Sequence, residues 1–285
     1  MILKYVVLAV LVFASRATEG QEPFVRAELI GQLGNQMFQI ATASAVAWDN
    51  GAEPHFPDHA QATRWLINYA HVFFRCDMND PGEVEYQWSQ PGSCYAPITY
   101  RPNMKISGYF QSEKYFSHQR ERILELFAPN SKDLQYMNRK YRKIIEHPQT
   151  VGIQIRYYKW EFPTSDLYPQ YGRQYLEKAM ALFPQDALFV VSSNNIEFAK
   201  NSIPPWATNV VFLEKEAPYI DLYLLSFCKH NIITNSSFGW WAAWLNKNPD
   251  KMIICPAVWD GIPTQDIAPD RWIKIDAPGE TQIGS

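Results

Sequence analysis

The sequence predicts an α/β protein made of two Rossmann-like halves, and three observations predict it. From residue 150 onward, short apolar runs alternate with helical stretches. Three of those runs (LFVV at 188–191, NIIT at 231–234 and MIIC at 252–255) are apolar on both faces, as strands of a helix-covered parallel sheet must be. Near the other end, an apolar run at 24–30 breaks at Gly31-Gln32-Leu33-Gly34-Asn35-Gln36 and gives way to an alanine-rich helix. Strand, glycine turn and helix is how a nucleotide-binding unit opens.

The elements follow in order. Residues 1–22 read as a targeting segment: Lys4 supplies positive charge, Tyr5–Ala14 is apolar, and Ser15-Arg16-Ala17 resembles a small-x-small cleavage site. The apolar run is shorter than the roughly 20 residues that span a bilayer. A cleaved signal peptide is the first expectation and an uncleaved membrane anchor the second, both implying the secretory pathway or a membrane. A cytoplasmic chain with a start assigned too far upstream is the third. The strand at 24–30 leads to a helix at 37–48, closed by Asn50-Gly51. Residues 52–103 are punctuated by Pro81-Gly82, Pro91-Gly92, Pro97 and Pro102, so loops and short helices are expected. A strand at 105–108, a helix at 117–127 and another from Ser131 to before Pro148 complete the first half. The second half carries strands at 150–156, 187–192, 210–213, 231–234 and 252–255, with helices at 171–182, 196–201, 218–228 and 237–245. The halves are drawn as 23–140 and 141–285.

The chain has 285 residues and is 47% hydrophobic, enough for a sizeable core. A net charge of -3, without a dense Lys/Arg run, argues against nucleic-acid binding. Ten Trp and sixteen Tyr suit either ordinary cores or carbohydrate sites, where rings stack on a sugar's C–H face. Of the four cysteines, Cys76 and Cys94 flank a Pro/Gly-rich loop and could pair in an exported chain. Cys228 and Cys255 read as buried thiols, and none has zinc-ligand spacing.

Four stretches carry candidate chemistry. Val151–Ile155 reads as a buried strand that delivers Arg156 to its carboxyl end, the edge where open α/β sheets bind ligands. A guanidinium there suits a phosphate, through two parallel charge-assisted hydrogen bonds; the plainer reading is a structural ion pair. At the Gly31–Gln36 turn, Gly31 and Gly34 permit close backbone approach, and Asn35 and Gln36 offer donors at a helix N terminus, which suits an anion or a sugar. The plainer reading is a tight turn, and the spacing is not a full G-x-G-x-x-G dinucleotide fingerprint. After 231–234, Asn235, Ser236 and Ser237 could hold a phosphate, cap the helix, or do both. They also form a glycosylation sequon that is discounted as inward-facing. After 187–192, Ser193 and Asn194 could read a base or ribose, or simply make a turn. Three of these loops follow parallel strands and should share one sheet edge, so a single pocket explains them.

The residues also resemble a known family. GQLGNQMFQ at 31–39, GYFQSEKYF at 108–116 and the long block 221–259, beginning DLYLLSF, are similar to motifs of the α-1,2-fucosyltransferases, glycosyltransferase family 11. The resemblance runs from about Val25 to Trp259. It implies a GT-B-like architecture with an acceptor side in 23–140 and a GDP-sugar donor side in 141–285. It further implies inverting transfer of L-fucose from GDP-fucose to the 2-hydroxyl of a galactose-containing glycan, with no cofactor and no obligatory metal; no Asp-x-Asp motif is present.

The chain departs from that pattern at one motif. Where relatives carry His-x-Arg-Arg-x-Asp, this sequence reads Gln154-Ile155-Arg156-Tyr157-Tyr158-Lys159, and Asn194 and Asn195 stand where relatives carry aspartates. Arg156 is the retained catalytic candidate, and Glu161 and Asp166 are the nearby carboxylates that could replace the missing acid. Two expectations follow: an active transferase with an altered donor site, or a relative that binds a nucleotide sugar or glycan without turnover.

Overall fold

The computed structural model describes residues 22–57, 70–162, 168–260 and 266–277. The leader expected at 1–22 lies, except for Glu22, outside the described residues, and so does Asp166. Among the described residues no helix is long and apolar enough to cross a membrane.

The first sheet is parallel and has four strands, β1 (Phe24–Ala27), β2 (Glu53–His55), β3 (Tyr86–Ser89) and β4 (Met104–Ser107), in the order β2-β1-β4-β3. Strand β1 is shorter than the predicted 24–30. Glu28 still donates to Ile106 O at 2.9 Å, but the Ile30 N–H turns to the Gln39 side chain at 3.0 Å, so the ladder ends. Helix α1 (Leu33–Asp49) begins before the predicted Met37, which puts Gly34, Asn35 and Gln36 in its first turn rather than in a loop. β2 and β3 lie in the stretch read as irregular. Both are sheet edges, EPH and YQWS, with half-exposed side chains and no apolar pattern; Pro54 is tolerated there because an edge strand has free N–H positions.

Two 3-10 turns precede helix α2 (Arg120–Leu126). The single helix expected from Ser131 breaks at Tyr141 into α3 (Ser131–Lys140) and α4 (Arg142–Ile145). Asn130 caps α3 through Asp133 N–H at 2.9 Å.

The second sheet contains β5 (Thr150–Ile155), β6 (Leu188–Ser193), β7 (Val210–Phe212), β8 (His230–Ile233), β9 (Ile253–Pro256) and β10 (Ile273–Ile275). Its helices are α5 (Arg173–Met180), α6 (Ile196–Ser202), α7 (Pro218–Phe227) and α8 (Ser237–Leu245). The strand order is β10-β9-β8-β5-β6-β7, parallel throughout. The chain steps outward from β5 to β7, then returns beside β5 with β8 and steps the other way. That reversal opens a crevice at the carboxyl ends of β5 and β8. β10 was not foreseen; it is another short, half-exposed edge.

Helix α8, SFGWWAAWL, is buried from Gly239 to Leu245. A helix apolar on all sides belongs in an interior, and α8 lies between the two sheets' helices. Phe38 of α1 meets Trp240 and Trp241 at 4.4 and 5.1 Å between ring centroids, and Phe116 stacks on Trp241 at 5.3 Å. One core cluster therefore runs from Val25 to Trp272, and a second covers the opposite face of the β5 sheet. All four cysteines are free thiols; Cys76 is half-buried and Cys94 exposed, so the structure does not pair them.

Candidate active site

β5 is buried along its whole length and ends at Ile155, so Arg156 directly follows it. The Arg156 N–H donates to Thr234 Oγ1 at 2.9 Å, which locks the ends of β5 and β8 together, and Gln170 Nε2 donates to Arg156 O at 2.8 Å. Its guanidinium donates to Glu161 Oε1 at 2.5 Å and sits 5.3 Å from the Tyr158 ring. The plainer sequence reading of Arg156 applies, since it forms an ion pair, and the residue also lines a cavity of 780 Å³. That volume suits a nucleotide-sized ligand, since small-molecule sites run from about 300 to 1,000 Å³.

The cavity lies between the carboxyl edges of the two sheets, with Gly31–Asn35, Tyr109 and Gln111 on the first side and the loops after β5, β6, β8 and β9 on the second. Two helices begin at it. Neither α1 nor α8 has a side-chain cap, so their first N–H groups, which have no intrahelical partner, present positive potential. Gly34 sets their approach. A Cβ there would fall 2.5 Å from Ser237 C and 2.6 Å from Phe238 N, both backbone atoms that cannot swing aside. Gly34→Ala should therefore destabilise the protein by about 1–3 kcal/mol through overpacking and weaken anion binding. A lowered Tm together with a raised Kd for nucleotide diphosphate, read by thermal denaturation and calorimetry, is the expected result.

The predicted donor residues divide into two kinds. Gly31, Gly34, Asn35, Arg156, Ser193, Asn194, Asn235, Ser236 and Ser237 all line the cavity. Gln36 does not. It is buried and turns back, donating from Nε2 to Gly31 O at 3.1 Å, because its place in α1 points it into the core. Asn35 accepts from Gln111 Nε2 at 2.9 Å, which ties the two first-half loops. Asn194 makes a reciprocal pair with the Tyr157 backbone, accepting at 2.7 Å and donating at 2.8 Å, so its amide braces the β5 loop. Ser193 Oγ bonds the Asn195 backbone, and Asn195 caps α6: turn chemistry accounts for both. Asn235 is fully buried, with Nδ2 donating to Pro169 O at 3.1 Å, so its amide is not open to glycosylation. Ser236 takes the N-cap position of α8 through its backbone, not through its hydroxyl. Glu161 is occupied by Arg156.

Three cavity carboxylates were not singled out from the sequence. Glu216 accepts from Tyr136, from Tyr141 at 2.6 Å and from Lys140. Asp221, in the first turn of α7, accepts from Ser192 Oγ at 2.6 Å while its buried Oδ1 has no partner; burial pushes its carboxyl up to about 6. Asp260, past the end of β9, is pushed up to about 6 by burial alone. Asp260 was legible in principle, because it follows a predicted strand at the same sheet edge as Arg156. Asp221 opens the 221–259 block but falls inside the predicted helix at 218–228, and nothing local marks it as facing a cavity.

Comparison with known proteins places this geometry. The model of glycosyl transferase family 11 matches residues 83–276. An α-1,2-colitosyltransferase of Escherichia coli is 28% identical over 88% of this chain and 99% of its own length. A galactoside α-(1,2)-fucosyltransferase of Oryctolagus cuniculus is 28% identical over 76% of this chain, which spans 65% of that protein. The crystal structure of the fucosyltransferase NodZ from Bradyrhizobium superposes with a TM-score of 0.52 at 14% identity, covering 78% of this chain and 92% of that one. The shared architecture is GT-B-like, as the resemblance implied.

Proposed function

The chain belongs to glycosyl transferase family 11, and from that membership we propose that it transfers L-fucose, or colitose as its colitosyltransferase relative does, from a GDP-sugar to the 2-hydroxyl of a galactoside, with inversion and without a metal. The observation that carries this reading is the convergence of Arg156 with the N termini of α1 and α8 on one cavity between two parallel sheets.

That convergence supplies what a departing diphosphate needs. As the sugar C1–O bond breaks, negative charge grows on the β-phosphate oxygen. The Arg156 fork and fixed backbone N–H groups meet that charge without reorganising. The Glu161 and Tyr158 contacts hold the guanidinium in place. Asp221 supports the choice of base: it lines the cavity, and its Oδ2, which accepts from Ser192, keeps lone-pair capacity for an N–H of the guanine edge. Asp221→Asn replaces one acceptor with a donor against that edge. It should weaken GDP binding about tenfold or more, leave inosine diphosphate less affected, and be read by competition binding of the two nucleotides.

Transfer with GDP-fucose and lactose tests the activity. Absence of both transfer and GDP-fucose hydrolysis over a broad acceptor panel would count against it. A second reading, nucleotide-sugar binding without turnover, is favoured by one observation: Gln154, Tyr157 and Lys159 replace the family's histidine, second arginine and aspartate. Binding with no turnover would support that reading, and turnover would end it.

A further inference from the structure

We propose that Asp260 takes the proton from the acceptor hydroxyl, in a sugar subsite walled by Tyr109, Phe162 and Tyr168; the proposal rests on the transferase reading above. Among the described carboxylates of the cavity, Glu161, Asp221 and Glu216 are each engaged by a protein donor. None of the described residues donates to Asp260, which nonetheless lines the cavity. It sits just beyond β9, whose neighbour β8 borders Arg156's strand, so it shares the sheet edge where the donor's leaving group would lie.

The surroundings of Asp260 suit a sugar. Tyr168 stacks on Tyr158 at 4.8 Å and packs on Phe162 at 4.7 Å, and both Phe162 and Tyr168 face the cavity. Tyr109 reaches the cavity from the first half. Phe162 is 39% exposed and Tyr109 50%. Large rings left open at the cavity offer flat faces to the C–H side of a hexose, and the carboxylate stands at their margin to meet a hydroxyl. The Tyr158 hydroxyl is committed to Asn235 O at 2.5 Å and leaves that task to Asp260.

The bonds balance. The acceptor O–H breaks and its proton passes to the Asp260 carboxylate. The acceptor oxygen bonds to sugar C1, and the C1–O(phosphate) electron pair leaves with GDP. Asp260 then returns the proton to solvent. The titratable groups around it are Tyr158, Tyr168 and Tyr171, all with raised phenol pKa values chiefly from burial, and, beyond Tyr158, the Arg156–Glu161 pair. None of these phenols ionises near neutrality, so the carboxyl governs the acid limb. Burial moves that limb up from the usual aspartate range to about pH 6.

The test uses the full chain with GDP-fucose and lactose. Asp260→Asn should lower kcat by about 100- to 10,000-fold, keep GDP affinity, and lose the fall in rate that the parent shows below about pH 6. Asp260→Glu should restore part of the rate and the acid limb. Tyr168→Ala should raise the acceptor KM without moving GDP affinity. An Asn variant with the parental kcat and an unchanged acid limb overturns the assignment and leaves the transferase reading intact. Failure of the parent protein to bind any GDP-sugar overturns both.

Discussion

Arg156→Ala is expected to lower kcat for transfer by about 100- to 1,000-fold, the loss typical of removing one preorganised donor from a developing negative charge. The family places two arginines at this strand end and this chain has one, with Tyr157 in the second position. On the proposed reading, the remaining guanidinium therefore meets the leaving-group charge without that second arginine. It is also well placed to do so: its backbone is fixed to Thr234, its side chain is braced by Glu161 and Tyr158, and only 17% of the side chain is exposed. Arg156→Lys should recover only part of the rate, because a lysine keeps the charge but loses the planar fork. Glu161→Gln gives a sharper contrast. It removes the counter-charge while keeping a hydrogen-bond acceptor, so phosphate affinity should hold or rise while the guanidinium becomes less well oriented. Steady-state kinetics and GDP binding on the three variants separate charge from orientation.

Trp240→Ala is expected to destabilise the protein by about 3–5 kcal/mol, the usual loss for a large buried aromatic. Trp240 is fully buried, and its ring meets Phe38, Phe116, Trp244 and Trp272. Its indole N–H donates to Ile267 O at 2.5 Å, so alanine also strands a buried carbonyl. The loss is a large share of the roughly 5–15 kcal/mol that holds most proteins folded. Because Phe38 and Phe116 come from the first half of the chain and Trp240 from the second, the damage should spread to both. Calorimetry should show one transition moved down as a unit. Two transitions, with only the later one shifted, would mean that α8 does not couple the halves.

The parts of this account legible in the sequence are those with a strong local signal. Helix α8 reads correctly at 237–245 because its whole surface is apolar and Ser236 precedes it. The β5, β6 and β8 strands read to within a residue because a central parallel strand must be apolar on both faces. The edge strands β2, β3 and β10 escaped because they are short and half-exposed, and only pairing to a neighbour makes them strands. Residues gathered at the cavity were foreseen by a topological argument, polar loops at one edge of one sheet. Their separate tasks were not, because tasks depend on partners distant in sequence. Gln36 and Asn194 have good donor chemistry, yet one serves the Gly31 carbonyl and the other the Tyr157 backbone. Gly34 lines the cavity, and it also admits the close approach of Ser237 and Phe238, which no local pattern announces.

The most direct test of the central claim, that the cavity holds a guanosine diphosphate sugar against Arg156 and two helix N termini, is calorimetric titration of the full chain with GDP-fucose, GDP, GDP-mannose, UDP-galactose and UDP-glucose. The account predicts saturable binding of the guanosine ligands, weakened by Arg156→Ala and by Asp221→Asn, with the uridine sugars much weaker. Equal affinity for the uridine sugars, or guanosine binding that neither substitution alters, would contradict it.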